Sequence, residues 1–174
     1  MSAQSQVCVA TYSRTIRASV PRIWENVLDW EHLPWLHRRS FTAVELLEQT
    51  PIGWRAWVTP ASSAGGQKSL IEISTDQPNL QYWSRVLAGQ GRGSEVLTVM
   101  RPIDGQATSI VVEFWISELL AKKKQTAGDA YIQLYTRLWD EDERMMIRRQ
   151  ELLNQGWQDV KKLSFSVVRN RKMR

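Results

Sequence analysis

Residues 129–154 read Asp-Ala-Tyr-Ile-Gln-Leu-Tyr-Thr-Arg-Leu-Trp-Asp-Glu-Asp-Glu-Arg-Met-Met-Ile-Arg-Arg-Gln-Glu-Leu-Leu-Asn. Tyr131, Leu134, Tyr135, Leu138, Met145, Leu152 and Leu153 recur at three- and four-residue spacing, the period of one helix face, so this stretch is expected to be one long helix. Gly156 is placed to stop it. Upstream lie short alternating stretches near 41–49, 53–59, 68–75, 80–88, 93–101 and 107–117. They are separated by Thr50-Pro51, Pro60 to Gly66, Gln77-Pro78-Asn79, Gly89 to Gly93 and Asp104-Gly105. Breaks this short imply antiparallel neighbours. Residues 7–18 read as an earlier strand with Val7, Val9 and Thr11 on one face. Ser19 then offers a helix cap, and Pro21 a favoured early helical position, for a helix over Arg22 to Glu31 that ends near Pro34. Residues 118–128, with Lys122, Lys123 and Lys124, read as a loop. Strand, helix, six strands and a long helix define an α+β chain whose antiparallel sheet curls around the C-terminal helix and can enclose a cavity against it.

The chain has 174 residues, about one domain, and its 43% hydrophobic and 24% charged content excludes a disordered or fibrous chain. No run approaches the roughly 18 apolar residues of a spanning helix, so no membrane partner is expected. The polar opening, Met1 to Gln6, has no leader pattern, and a cytoplasmic location is expected. A single cysteine, Cys8, rules out an intrachain disulfide and a cysteine-bound cluster within this chain. The net charge of +5 resides in residues 157–174, where six bases face one acid, Asp159; residues 1–156 are neutral. The chain therefore divides into a domain, 1–156, and a basic tail, 157–174. The tail either docks on an acidic partner or solubilises the end, with Leu163, Phe165 and Val167 alternating as a last strand. No nucleic-acid motif accompanies it, and the glycine-rich turn Gly89 to Gly93 lies between strands rather than before a helix, so neither nucleic acid nor phosphate is expected.

The only two histidines, His32 and His37, lie in Trp-Glu-Asn-Val-Leu-Asp-Trp-Glu-His-Leu-Pro-Trp-Leu-His-Arg-Arg, residues 24–39. Asn26, Asp29 and His32 are spaced by three and can share a helical face, while Pro34 lets His37 fold back beside His32. On the long helix Asp142 falls in line with Tyr135, Leu138 and Met145, whereas Asp140, Glu141 and Glu143 fall toward the polar sides as solvated charges. A carboxylate on an apolar stripe must pair, protonate or bind a cation. Arg149, seven residues on, offers one partner. Two imidazoles and a carboxylate with open positions offer the other, since that set suits a non-haem ferrous ion.

The pattern Asn26-x2-Asp29-x2-His32-x4-His37, with Leu138-Trp139-Asp140-Glu141-Asp142-Glu143-Arg144-Met145-Met146 and Gln150 at the other end of the domain, resembles the catalytic domain of Rieske non-haem iron ring-hydroxylating oxygenases. The resemblance implies a START-type helix-grip fold. It implies His32, His37 and Asp142 as ligands of a mononuclear Fe(2+), Asp29 as the bridging carboxylate and Asn26 as a helper near the iron. The family carries its cluster in a preceding domain that Cys8 alone cannot build. An oxygenase would therefore take electrons from a separate electron-transfer protein; the alternative is a non-enzymatic hydrophobic-ligand-binding protein of the same fold. The family's trimers use contacts of the absent domain, so self-association as a homo-oligomer stays open.

Nine tryptophans suit a cavity lined for an apolar or aromatic small molecule, or ordinary packing. Trp54 and Trp57, three apart on one strand, must face opposite sides.

Overall fold

Alternation of side chains builds the sheet. A computed structural model describes residues 5–61, 66–118 and 124–157. Its strands are β1 (Gln6–Ile16), β2 (Phe41–Thr50), β3 (Gly53–Pro60), β4 (Ser69–Asp76), β5 (Gln81–Gly89), β6 (Glu95–Pro102) and β7 (Thr108–Ser117). Helices α1 (Val20–Leu28) and α2 (Leu33–Leu36) lie between β1 and β2, and α3 (Lys124–Asn154) follows β7. All neighbours pair antiparallel in the order β1-β7-β6-β5-β4-β3-β2, with short turns joining β2 to β3, β4 to β5, β5 to β6 and β6 to β7. This is the expected helix-grip architecture, with every strand within two residues of its expected span.

Three local expectations are corrected. A bulge in β1 between Cys8 and Ala10 slips its alternation by one position, so Tyr12, Arg14 and Ile16 turn inward and Thr11 is exposed rather than sharing a face with Val9. The first helix spans Val20–Leu28, two residues earlier than expected at its start, and ends before Pro34 is reached. Pro34 instead sits in the first turn of α2, where its missing N–H leaves nothing unpaired. Finally, residues 124–128 are helical, not a loop. Lys122 and Lys123, and the tail from residue 158 on with its suggested strand, lie outside the described residues. Among the described residues no helix is long and apolar enough to cross a membrane.

Helix α3 lies against the sheet most closely at β1. Gly128 permits this: a Cβ there would stand 2.6 Å from the Val9 carbonyl oxygen. Buried Glu143 accepts from the Arg17 backbone N–H at 2.9 Å, from Arg17 Nε at 3.1 Å and from an Arg14 guanidinium nitrogen, and Arg14 also donates to Asp140. Asp140 and Glu143 were expected to be solvated; Arg14 of β1 and Arg17 just after it supply the partners that a helix considered alone does not show. Gly156, at φ 88°, ends α3 as expected, its neighbour Trp157 donating back to the Leu152 carbonyl at 3.1 Å.

The apolar interior has two parts. Ile16, Ile23, Trp24, Ile110, Val112, Phe114, Trp139 and Met146 belong to a large cluster, in which Phe114 stacks on Tyr131 and meets Tyr135 edge-on. Trp54, Ala56 and Val58 of β3 form a smaller one with Phe41, Ile71 and Ile73.

Candidate functional site

The corner between α1 and β2 presents both histidines. Asn26 lies in the last turn of α1, and Asp29 follows as its C-cap in extended conformation (φ −90°, ψ 94°). Asp29 Oδ1 accepts the Glu31 N–H at 3.1 Å, turning the chain toward His32. The His32 carbonyl starts α2 by accepting the N–H groups of Trp35 (3.1 Å) and Leu36 (2.8 Å). His37 ends it, donating its backbone N–H to the Leu33 carbonyl at 3.1 Å. Asn26, Asp29 and His32 thus do not share one helical face, because Asp29 breaks the helix. The two imidazoles flank a single turn instead, with ring centres 5.2 Å apart and planes 72° apart. Pro34 lies between them, and Trp35 turns outward, 82% exposed.

Asp142 reaches this corner from α3. His37 Nε2 is 3.0 Å, and His32 Nε2 3.6 Å, from Asp142 Oδ1. One donor atom from each of the three residues lies within 4.8 Å of the others. Metal bonds of about 2.0–2.2 Å set at 90–110° place neighbouring donors roughly 3.0–3.5 Å apart. Asp142 Oδ1 is buried and, despite its closeness to both imidazoles, has no aligned hydrogen bond among the described residues. A buried carboxylate oxygen left unbonded is costly. The two contacts to Asp142, at 3.0 and 3.6 Å, match that donor spacing, and the donor chemistry suits a divalent cation. Arg149, the alternative partner for Asp142, lies with its Nε 3.4 Å from Glu25.

Environment splits the two imidazoles. Burial lowers the pKa of His32, and the neighbouring His37 adds to this, against the pull of Asp142. Burial also acts to lower His37, but the carboxylates of Asp142 and Glu141 outweigh it and raise its pKa. His32 is thus held neutral, the form that ligates, while protons compete for His37.

The sequence reading missed Glu141. Expected to be a solvated charge, it stands with Oε2 2.7 Å from His37 Nδ1. Its position beside Asp142 was the available signal, but its partner comes from α2, 104 positions earlier. Asp29 does not join the donor cluster: its side chain is 46% exposed and its Oδ2 stands 4.0 Å from His32 Nδ1. Asn26 is buried, and its Oδ1 lacks a hydrogen-bond partner among the described residues.

The cluster forms one wall of a cavity of about 130 Å³ between β3, β4 and α3. Trp54, Val58, Ile71, Ile73 and Leu138 make it apolar; Asn26, Tyr82, Ser84 and Tyr135 add polar atoms. Trp54 donates its indole N–H to the Val27 carbonyl at 3.0 Å, which locks the ring as cavity wall. Trp57 faces the other side of β3 under Lys68, as the three-residue spacing requires. Burial raises the pKa of both Tyr82 and Tyr135, so their hydroxyls remain neutral.

This architecture places the molecule among helix-grip folds. Solved structures of similar shape include the Zhui aromatase/cyclase from Streptomyces sp. R1128 (12% identity, 83% of this chain and 96% of that one, TM-score 0.67). A START superfamily protein from Mycobacterium smegmatis is also similar (16%, 80% and 98%, TM-score 0.60). So is norcoclaurine synthase from Thalictrum flavum in complex with dopamine and hydroxybenzaldehyde (15%, 84% and 89%, TM-score 0.61). At these identities the likeness shows the fold alone. No protein-family model and no curated protein matches the sequence. The resemblance to ring-hydroxylating oxygenases therefore finds no support among these comparisons and is carried by the motif residues only.

Proposed function

We propose that the protein binds a small, single-ring apolar molecule in the cavity between β3, β4 and α3, beside a divalent cation held by His32, His37 and Asp142. The carrying observation is the position of the three convergent donors in the wall of an otherwise apolar chamber. Size favours one ring: a cavity of about 150 Å³ accommodates benzene, and this one measures about 130 Å³. Dopamine and hydroxybenzaldehyde, bound by a protein of similar fold, are single-ring aromatics too. The unpartnered Oδ1 of Asn26 is suited to accept a hydrogen bond from a ligand hydroxyl or amine. Trp54, Ile71 and Ile73 exclude water and orient the ring.

A second reading, oxygenase chemistry, is favoured by the donor set, since two imidazoles and one carboxylate leave positions open. Ferrous iron bound there would supply dioxygen activation, with electrons delivered by a separate protein. In that reading Asp29, beside His32 and reaching the surface, is the bridging carboxylate.

Binding of 4-hydroxybenzaldehyde and of a four-ring phenol, followed by tryptophan fluorescence, tests the first reading. Saturable binding of the single-ring compound alone, lost in Ile73→Trp, is expected; no saturable binding of either overturns it. Oxygen uptake by the iron-loaded protein with a reductant and a bound ring compound tests the second, and its absence in the presence of bound ligand leaves the carrier reading standing.

A further inference from the structure

We infer that Glu141 is a positioning residue that holds the His37 ring with its proton on Nδ1, so that the Nε2 lone pair faces the point where the donor atoms converge. The inference rests on the cation reading above and names a residue that the donor set does not include.

The argument begins with hydrogen-bond inventory. An ionised carboxylate only accepts, so at 2.7 Å from Glu141 Oε2 the His37 Nδ1 must donate. Asp142 Oδ1 stands 3.0 Å from Nε2 and competes for a proton there while no cation is bound. A neutral imidazole has one N–H, and the shorter contact to Glu141 favours Nδ1 for it, which leaves Nε2 as the acceptor. The ring is 1% exposed, so no water competes for its proton. Glu141 also has other cations to choose from. Arg39, Arg137 and Arg144 line the same surface hollow as Glu141, yet among the described residues none of them forms an ion pair with it. Its partner is the imidazole.

The two histidines are unequal in this respect. The nearest acidic oxygen to His32 Nδ1, Asp29 Oδ2, is 4.0 Å away, beyond hydrogen-bond reach. His37 therefore has a carboxylate in hydrogen-bond contact behind it, and His32 does not. A carboxylate behind a ligating imidazole fixes its tautomer and raises its basicity, and removing such a partner weakens metal binding by about 10–100-fold. Glu141 and Asp142, adjacent on α3, thus serve one ring from two sides: Glu141 behind it, Asp142 in front.

With only two histidines in the chain, labelling them with nitrogen-15 gives two ring systems, assigned with a His32→Ala variant. Spectra of the metal-free protein at a pH where both rings are neutral are expected to show the His37 proton on Nδ1. A proton on Nε2 overturns the inference without any variant. Glu141→Gln, whose amide oxygen still accepts, should keep the tautomer; Glu141→Leu should lose it while His32 is unchanged. Titration with cobalt(II) should then show affinity reduced about 10–100-fold in Glu141→Leu and largely restored in Glu141→Gln. An unchanged His37 tautomer in a folded Glu141→Leu protein, or an unchanged affinity, overturns the assignment. If the wild-type protein takes up no cobalt, the cation reading fails, and the tautomer alone decides the role of Glu141.

Discussion

Strand β7 presses Ile110, Val112 and Phe114, each 0% exposed, into a filled core, whereas β4, on the other side of the same sheet, has no fully buried residue. Both strands alternate and both pair antiparallel on either side. The difference is what faces them. Tyr131 and Tyr135 of α3 fill the space over Phe114, while the chamber opposite Ile71 and Ile73 stays open. The filled half specifies the fold, and the open half carries the candidate site. A sheet gripping a helix can thus separate stability from binding along its own width.

The largest expected effect falls in the open half. His37→Ala should abolish stoichiometric uptake of a divalent cation, measured by metal analysis, while the fold, read by circular dichroism, persists. A retained ion would remove the site from this half of the molecule. In the filled half, Phe114→Ala should lower the unfolding free energy by about 3–5 kcal/mol in urea denaturation. Ile73→Ala, made at a half-buried wall of an existing cavity, should cost about 1 kcal/mol or less; equal costs would break the contrast between the halves. The smallest effect concerns pH. Burial acts to raise the Glu143 carboxyl, but the hydrogen bonds from Arg17 and Arg14 outweigh it and hold its pKa below 4.5 in the fold. Its stabilisation is therefore complete above the unfolded value and lost as pH falls through the lowered folded one. Acid titration of stability should be shallower in Glu143→Gln than in wild type.

The strands were legible because each is short, alternating and bounded by turn residues such as Gln77-Pro78-Asn79 and Asp104-Gly105. The bulge near Val9 was not, since an inserted residue leaves no mark in an alternating sequence. His32, His37 and Asp142 could be singled out as an unusual pair and an inward carboxylate, and the structure brings them together. The helical spacing invoked for Asn26, Asp29 and His32 was wrong in its reason, because Asp29 adopts an extended backbone that spacing cannot reveal. Glu141 and Glu143 were misread for another cause. A helical wheel assigns polarity relative to solvent, yet His37 at the end of α2, Arg14 of β1 and Arg17 just beyond it bring an imidazole and two guanidinium groups to those positions.

Arg14 holds Asp140 and Glu143, residues one turn apart on α3, from a single place on β1. Two grips separated along the axis fix both how far the helix has slid and how far it has rolled. Each residue advances an α-helix by about 100°, so clamping Glu143 also dictates the bearing of its neighbour Asp142. The aim of the carboxylate toward the two imidazoles is thereby set from the far side of the helix, by an arginine that does not line the chamber.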